Sequence, residues 1–357
     1  MVYSTGKSVV AVVIGLLVDQ GLLDYDAKVA KYWPEFSKLG KENITVADVM
    51  RHESGLDHMD HVFVDDDFKR ENIKNNCVGK WIENECPQWP NPVFNAHKGQ
   101  TNLESCKRAY HSITRGWILN EIARRVDPKG RTIGLILHEE IISTGVYCGV
   151  PDEELNRVVP QQAKSTSWVL SQTLLPSFVT HSVIDMTLFD VYKSLTGNFE
   201  EMLRPLKCLK GVSTDVSVTH KHWQQDKFRS TEQPSSNFHA SAKGLAWVAY
   251  IMANQGQDPS GKQILSKETW EKMHHDPKEA HDAVLGNSHA VFNLFDYVSV
   301  MKLPATFWFQ DFAQLLLRED LITIEAIQTQ TMLKPIQTSL DGMDGEVMEA
   351  QVCDIEA

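Results

Sequence analysis

The sequence predicts an α/β fold, and three observations carry that reading. The chain has 357 residues, of which 42% are hydrophobic, enough for one large core or two modest ones. Helical periodicity dominates, with apolar residues three and four apart in several stretches. Period-2 patterning is scarce, and its best example comes late, at Val291 to Val300.

In chain order, Ser4 to Gln20 reads as a largely buried helix stopped by Gly21. Leu22 to Phe36 reads as loop and short turns, with Pro34 as a breaker. Thr45-Val46-Ala47-Asp48 is a capping start for a short helix through Met50, and His52 to Leu56 forms a turn. Lys80 to Lys107 is rich in Pro, Asn, Gln and Trp and reads as irregular. Ser112 to Val126 is amphipathic, with Ile113, Trp117, Ile118, Ile122 and Val126 at helical spacing. Thr132 to Ser143 reads as a further helix. Leu155 to Asn198 is apolar enough to be helical, with breaks at Pro160 and Pro176. Ala240 to Asn254 is a strong helix ending at Asn254-Gln255-Gly256, and Lys267 to His274 is a short one. Leu321 to Ile327 fits strand or helix, and Gly342 to Ala357 reads as a loose acidic tail.

Charge and cysteine content narrow the function classes. The formal net charge is -12, and an acidic surface repels phosphate backbones, so no nucleic-acid partner is expected. Cys77, Cys86, Cys106, Cys148, Cys208 and Cys353 form no Cys-x-x-Cys pair, which speaks against a zinc ribbon or a thioredoxin-like motif. Reduced thiols are expected, with one bridge among Cys77, Cys86 and Cys106 left open should the protein be secreted. Lys7 and the apolar run Val9 to Val18 resemble part of a signal peptide, but no small-x-small cleavage site follows. That run is also too short for a membrane span, so a buried helix is expected and the cytoplasm is the default compartment.

The first chemical feature is Ser4-Thr5-Gly6-Lys7 at the mouth of an apolar helix. Residues i and i+3 share a helical face. A serine hydroxyl becomes a nucleophile when a nearby base takes its proton. A neutral lysine can be that base, and the helix N-terminus adds a positive dipole end and free N–H groups. Ser-x-x-Lys is the pattern of β-lactamases and penicillin-binding proteins. Alone the pattern is weak, and a Ser N-cap with a solvated Lys is its commoner meaning.

Two further motifs make the resemblance specific. Ile44-Thr45-Val46 through His52-Glu53-Ser54-Gly55-Leu56 is similar to the Ile-Thr-Val and His-x-Ser-Gly-Leu stretch of class C β-lactamase-like proteins. Gly21 to Val29 resembles the Gly-x-Leu-x-Leu-Asp segment between nucleophile and that stretch. Tyr110-His111-Ser112 resembles the family's Tyr-x-Asn motif, with Ser112 in place of the usual Asn. The animal β-lactamase-domain proteins are closer here, with Tyr-His ahead of a Gly-Trp pair like Gly116-Trp117. Pro234 to Ala246 resembles the segment that returns the chain to the sheet. The likeness covers Tyr3 to Leu285.

The resemblance implies a β-lactamase/transpeptidase-like fold: an antiparallel sheet flanked by helices, with a helical region inserted at about 71–234. It implies one domain over 1–290 and a divergent segment over 291–357, forming a sheet edge or loose tail. Ser4 would be the nucleophile, with Lys7 and Tyr110 moving the proton, while His52 would orient the loop beneath. The substrate would be a small ester or amide. No metal or organic cofactor is implied, and the oligomeric state stays open.

Two departures qualify this expectation. The family places strands and a helix before the nucleophile, and it carries a Lys-Thr-Gly or His-Thr-Gly motif on an edge strand. Neither motif occurs in this sequence, and Ser4 lies at its start. The sheet is therefore expected to be incomplete, and the chain to be a truncated isoform or imperfect gene model of a hydrolase. A catalytically dead scaffold or regulator of the same fold is the serious rival. A P-loop reading of Gly6-Lys7-Ser8 lacks the earlier glycine that motif needs. A metal site at Asp57, His58, Asp60 and His61 matches no ligand spacing, and His220 with His222 or His274 with His275 is weaker still.

Overall fold

The apolar run that opens the chain sets the architecture. A computed structural model describes residues 1–88, 108–160, 224–274, 278–282, 287–292 and 297–299. Tyr3–Thr5 forms one 3₁₀ turn and leads into helix α1, Gly6–Asp19. From Gly6 to Leu17 every residue but Ser8 is buried. A helix apolar on all sides belongs at the centre of a fold, because no face of it profits from water. Its C-terminus closes as a Schellman motif. Gly21 takes φ +70°, its N–H donates to Val18, and the Leu22 N–H donates to Leu17.

Helix α2, Val46–Met50, starts with the expected capping box. The Thr45 hydroxyl accepts from Asp48 N–H, and the Asp48 carboxylate accepts from Thr45 N–H. Helices α3, Arg70–Lys74, and α4, Gly79–Glu83, follow, so Lys80 to Glu83 is helical where irregular chain was expected. Helix α5, Thr114–Val126, turns its apolar stripe inward, with Trp117 packed between Phe63 and Phe68 at ring separations of 4.7 Å each. The helix expected over Thr132 to Ser143 is two pieces: α6, Ile133–Ile136, and a π-helical turn, Leu137–Ile141. The short helix α7, Asp226–Arg229, precedes α8, Ala242–Ala253, and α9, Lys267–His274. Helix α1 packs against α5, α6 and α9, and one continuous hydrophobic core joins them.

Two antiparallel pieces of sheet are described. Strand β1, Val146–Cys148, pairs with β2, Phe238–Ala240, in the register Tyr147 opposite His239. Strands β3, Lys278–Asp282, β4, Asn287–Phe292, and β5, Tyr297–Ser299, form a meander. The single strand expected at Val291 to Val300 is thus parts of two strands, with Phe292 paired to Tyr297 across a chain reversal. Most of Leu155 to Asn198, together with Leu321 to Ile327 and Gly342 to Ala357, lies outside the described residues.

Helix α1 meets the sheet through Gly6. A Cβ built there would lie 2.2 Å from Cδ2 of Phe238 on β2. Gly6 has ordinary helical backbone, φ -58°, so the demand for glycine is steric. Gly6→Ala is expected to cost roughly 1–3 kcal/mol through overpacking. Thermal melting checks it, and adding Phe238→Leu should recover part of the loss. Unchanged melting in Gly6→Ala would mean that Phe238 yields freely.

Candidate functional site

Ser4 is exposed in the turn that opens α1, and Tyr3 before it takes the left-handed φ of +44°. A non-glycine residue there is uncommon. Lys7, one turn further on, is buried at 2% exposure, and its stem runs into the core. Its ammonium donates to three oxygens: Ser4 Oγ at 3.2 Å, Ser112 O at 2.7 Å and Ser235 O at 2.9 Å. These acceptors account for the three N–H bonds of a charged lysine. In a neutral lysine, two N–H groups kept on the carbonyls would leave the lone pair facing Ser4.

Both carbonyls are brought in by neighbouring segments. Ser112 lies in the turn just before α5. Ser235 is held against α5, because the Gly116 N–H donates to Ser235 Oγ at 2.7 Å. Gly116 must be glycine for this approach, since a Cβ would lie 2.4 Å from Ser235 N. Asn237 fastens the same loop, donating to Phe228 O at 2.7 Å and Thr231 O at 2.9 Å.

Tyr110 presents its ring to Lys7, with Nζ 4.9 Å from the centroid. Such a contact favours a cation over the aromatic face. Beneath it lies His52, at φ +63°, with ring centroids 4.9 Å apart. His52 Nδ1 accepts from His111 N–H at 2.9 Å. His111 in turn donates through Nδ1 to Ala109 O at 2.5 Å and accepts at Nε2 from Leu56 N–H at 3.2 Å. The Ser54 hydroxyl also meets Nε2, at 2.8 Å. These partners fix the neutral Nδ1–H tautomer. Burial pushes His111 down to about 4, and burial together with Arg115 and other cations holds His52 well below the ordinary range. Arg115 braces the same turn by donating to Met50 O at 3.1 Å and to Lys7 O at 3.4 Å.

The three residues singled out by motif, Ser4, Lys7 and Tyr110, therefore lie together. The sequence reading gave no role to Ser235, His111 or Arg115, although all three lie within stretches it singled out. The first acts through its backbone carbonyl, which no residue pattern announces. The cluster of Asp57, His58, Asp60 and His61 goes elsewhere, while His220, His222 and His275 lie outside the described residues. His61 stacks on Trp81 at 3.5 Å, and Asp57 meets His58 at 3.4 Å. Among the described residues no group of three or more His, Cys, Asp or Glu could hold a metal, and no helix is long and apolar enough to cross a membrane. Cys77, Cys86 and Cys148 are free thiols.

An exposed serine, a buried lysine one turn on and a tyrosine ring against that lysine lie together, and the family model for Beta-lactamase matches residues 1–299. The chain belongs to the beta-lactamase family. Its curated relatives in this family include the esterase/beta-lactamase LipL of Mycobacterium tuberculosis, 27% identical over 282 residues. That match takes in 75% of this chain and 53% of the relative, so the chain spans about half the length of the curated protein. Among solved structures, a family VIII carboxylesterase is similar with a TM-score of 0.60 at 23% identity, over 85% of this chain and 68% of that one. EstA from Arthrobacter nitroguajacolicus gives 0.60 at 22%, over 84% and 68%. A penicillin-binding protein homologue from Caulobacter crescentus gives 0.55 at 22%, over 85% and 67%. At these identities the structural likeness establishes the beta-lactamase/transpeptidase-like fold alone.

Proposed function

We propose that this beta-lactamase-family chain is a serine hydrolase that cleaves small esters or amides through an acyl-enzyme. The observation that carries the reading is the hydrogen bond of Lys7 Nζ to Ser4 Oγ, with the other two donors held by carbonyls. Neutral Lys7 takes the Ser4 proton as Oγ adds to the substrate carbonyl carbon. The Ser4 backbone N–H supplies one donor to the developing oxyanion. The carbon–leaving-group bond then breaks, and the proton passes by way of Lys7 and Tyr110 to the departing alcohol or amine. Water repeats the sequence on the acyl-Ser4 ester and releases the acid. Relatives named as esterase and as beta-lactamase bring both ester and amide acyl groups into range. The domain assignment proposed with this is a catalytic unit over 1–290 and a divergent segment over 291–357.

Intact-mass spectrometry with a fluorophosphonate tests it. One adduct is expected on the wild-type chain and none on Ser4→Ala. A folded wild-type protein that takes no adduct would leave a non-catalytic member of the family.

A further inference from the structure

The segment 108–112 carries Tyr110 but belongs to no helix, so something else must hold it. Its two flanks are secured by side chains of the 51–56 turn. Arg108, buried at 1% exposure, is ion-paired with buried Glu53, which also accepts from Arg51 Nε at 3.0 Å. His111 is locked by the hydrogen bonds to His52, Ser54, Leu56 and Ala109 described above.

Between those flanks, Tyr110 itself is gripped from a different part of the fold. Its backbone N–H donates to Asp282 Oδ1 at 3.1 Å, across a sequence separation of 172 residues. Asp282 ends β3 and is fully buried, at 0% exposure. Burying a carboxylate is costly unless it is hydrogen-bonded, so the position is demanding. Strand β3 shifts register between Ala280 and Asp282, and such irregularities re-aim a side chain. Arg108 and Asp282 also form an isolated parallel bridge, so the tyrosine segment runs alongside the end of the strand.

We propose that Asp282 is a positioning residue. Its carboxylate holds the Tyr110 backbone so that the ring stays over Lys7, and it ties the β3–β5 meander to the reaction. It acts through Tyr110 and not on substrate. The inference rests on the hydrolase reading.

A double-mutant cycle on the full chain tests it, with kcat and KM for a nitrophenyl ester as readout. Asp282→Ala is expected to lower kcat about 10–100-fold, the scale of a small misplacement of a reacting group, with KM nearly unchanged. Asp282→Asn keeps an acceptor oxygen and should stay within about threefold of wild type, since one hydrogen bond is retained. In a Tyr110→Phe background, Asp282→Ala should cost little more. Where Asp282→Ala does not fold, Asp282→Leu replaces it, because apolar substitutes for buried charges are often tolerated. Losses that multiply in the double variant, or an Asp282→Asn as slow as Asp282→Ala, would overturn the proposal. Fluorophosphonate labelling of wild type in parallel separates this failure from failure of the hydrolase reading, which would show as no labelling at all.

Discussion

Lys7→Met is expected to lose about 10²–10⁴ in kcat/KM for a small ester, the contribution of a positioned general base. Methionine keeps most of the stem that packs in the core but removes all three donors. The melting temperature should change far less than the activity, because two effects oppose each other. Two buried carbonyls, of Ser112 and Ser235, lose their partner, which costs roughly 1–3 kcal/mol for each unsatisfied group. Against that, a buried amino group no longer has to be desolvated, which offsets part of that cost. Kinetics and thermal melting on the same preparation check it. Activity within tenfold of wild type would remove Lys7 from the proton path and leave it as a strut between three segments.

Acid should weaken the fold well before the carboxylates are all protonated. His111 is pushed down to about 4 by burial, and His52 lies well below its usual value for the same first cause. An unfolded histidine binds a proton near 6.5. Between 6.5 and about 4 the unfolded chain therefore holds more protons than the folded one, and stability falls as pH falls. The contribution is fully present above 6.5. Across that window His111 alone accounts for about 3 kcal/mol, out of a typical total of about 5–15. Structurally, a protonated His111 could no longer accept from Leu56 N–H. Asp48 and Glu85, pushed up by burial, work in the opposite sense at the acid end. The diagnostic quantity is therefore the difference between wild type and His111→Asn in urea unfolding at pH 7.5 and pH 5. The variant should lose less stability between the two. Equal losses would show that His111 titrates normally.

The parts of the fold that could be read from the sequence are those with a repeating or local signature. Helix α1 announced itself by an unbroken apolar run, its end by Gly21, and α2 by the Thr45 to Asp48 capping box. Helix α9 was legible to the residue. Strands β1 and β2 were not, since three residues are too few for an alternating pattern to emerge. The reversal between β4 and β5 was missed because Val291, Phe292, Val298 and Val300 read as one apolar series. Asn293 and Asp296, both turn-prone residues, were the available hint. At the site, side chains within a motif could be found by spacing. Ser235 contributes a carbonyl and Asp282 stands alone late in the chain, so neither leaves a pattern to find.

The three oxygens around Lys7 bear on how the chain reaches its native state. Two of them come from residues 105 and 228 positions away. Closing loops of that length is slow, and the loss of chain entropy precedes the reward. Helix α1 can form early from its own residues, but the environment that aims Lys7 at Ser4 exists only after the 108–112 and 234–237 segments have docked upon it. The contact between Ser4 and Lys7 thus depends on long-range docking, and helix α1 alone carries the two side chains without the carbonyls that hold Lys7 in place.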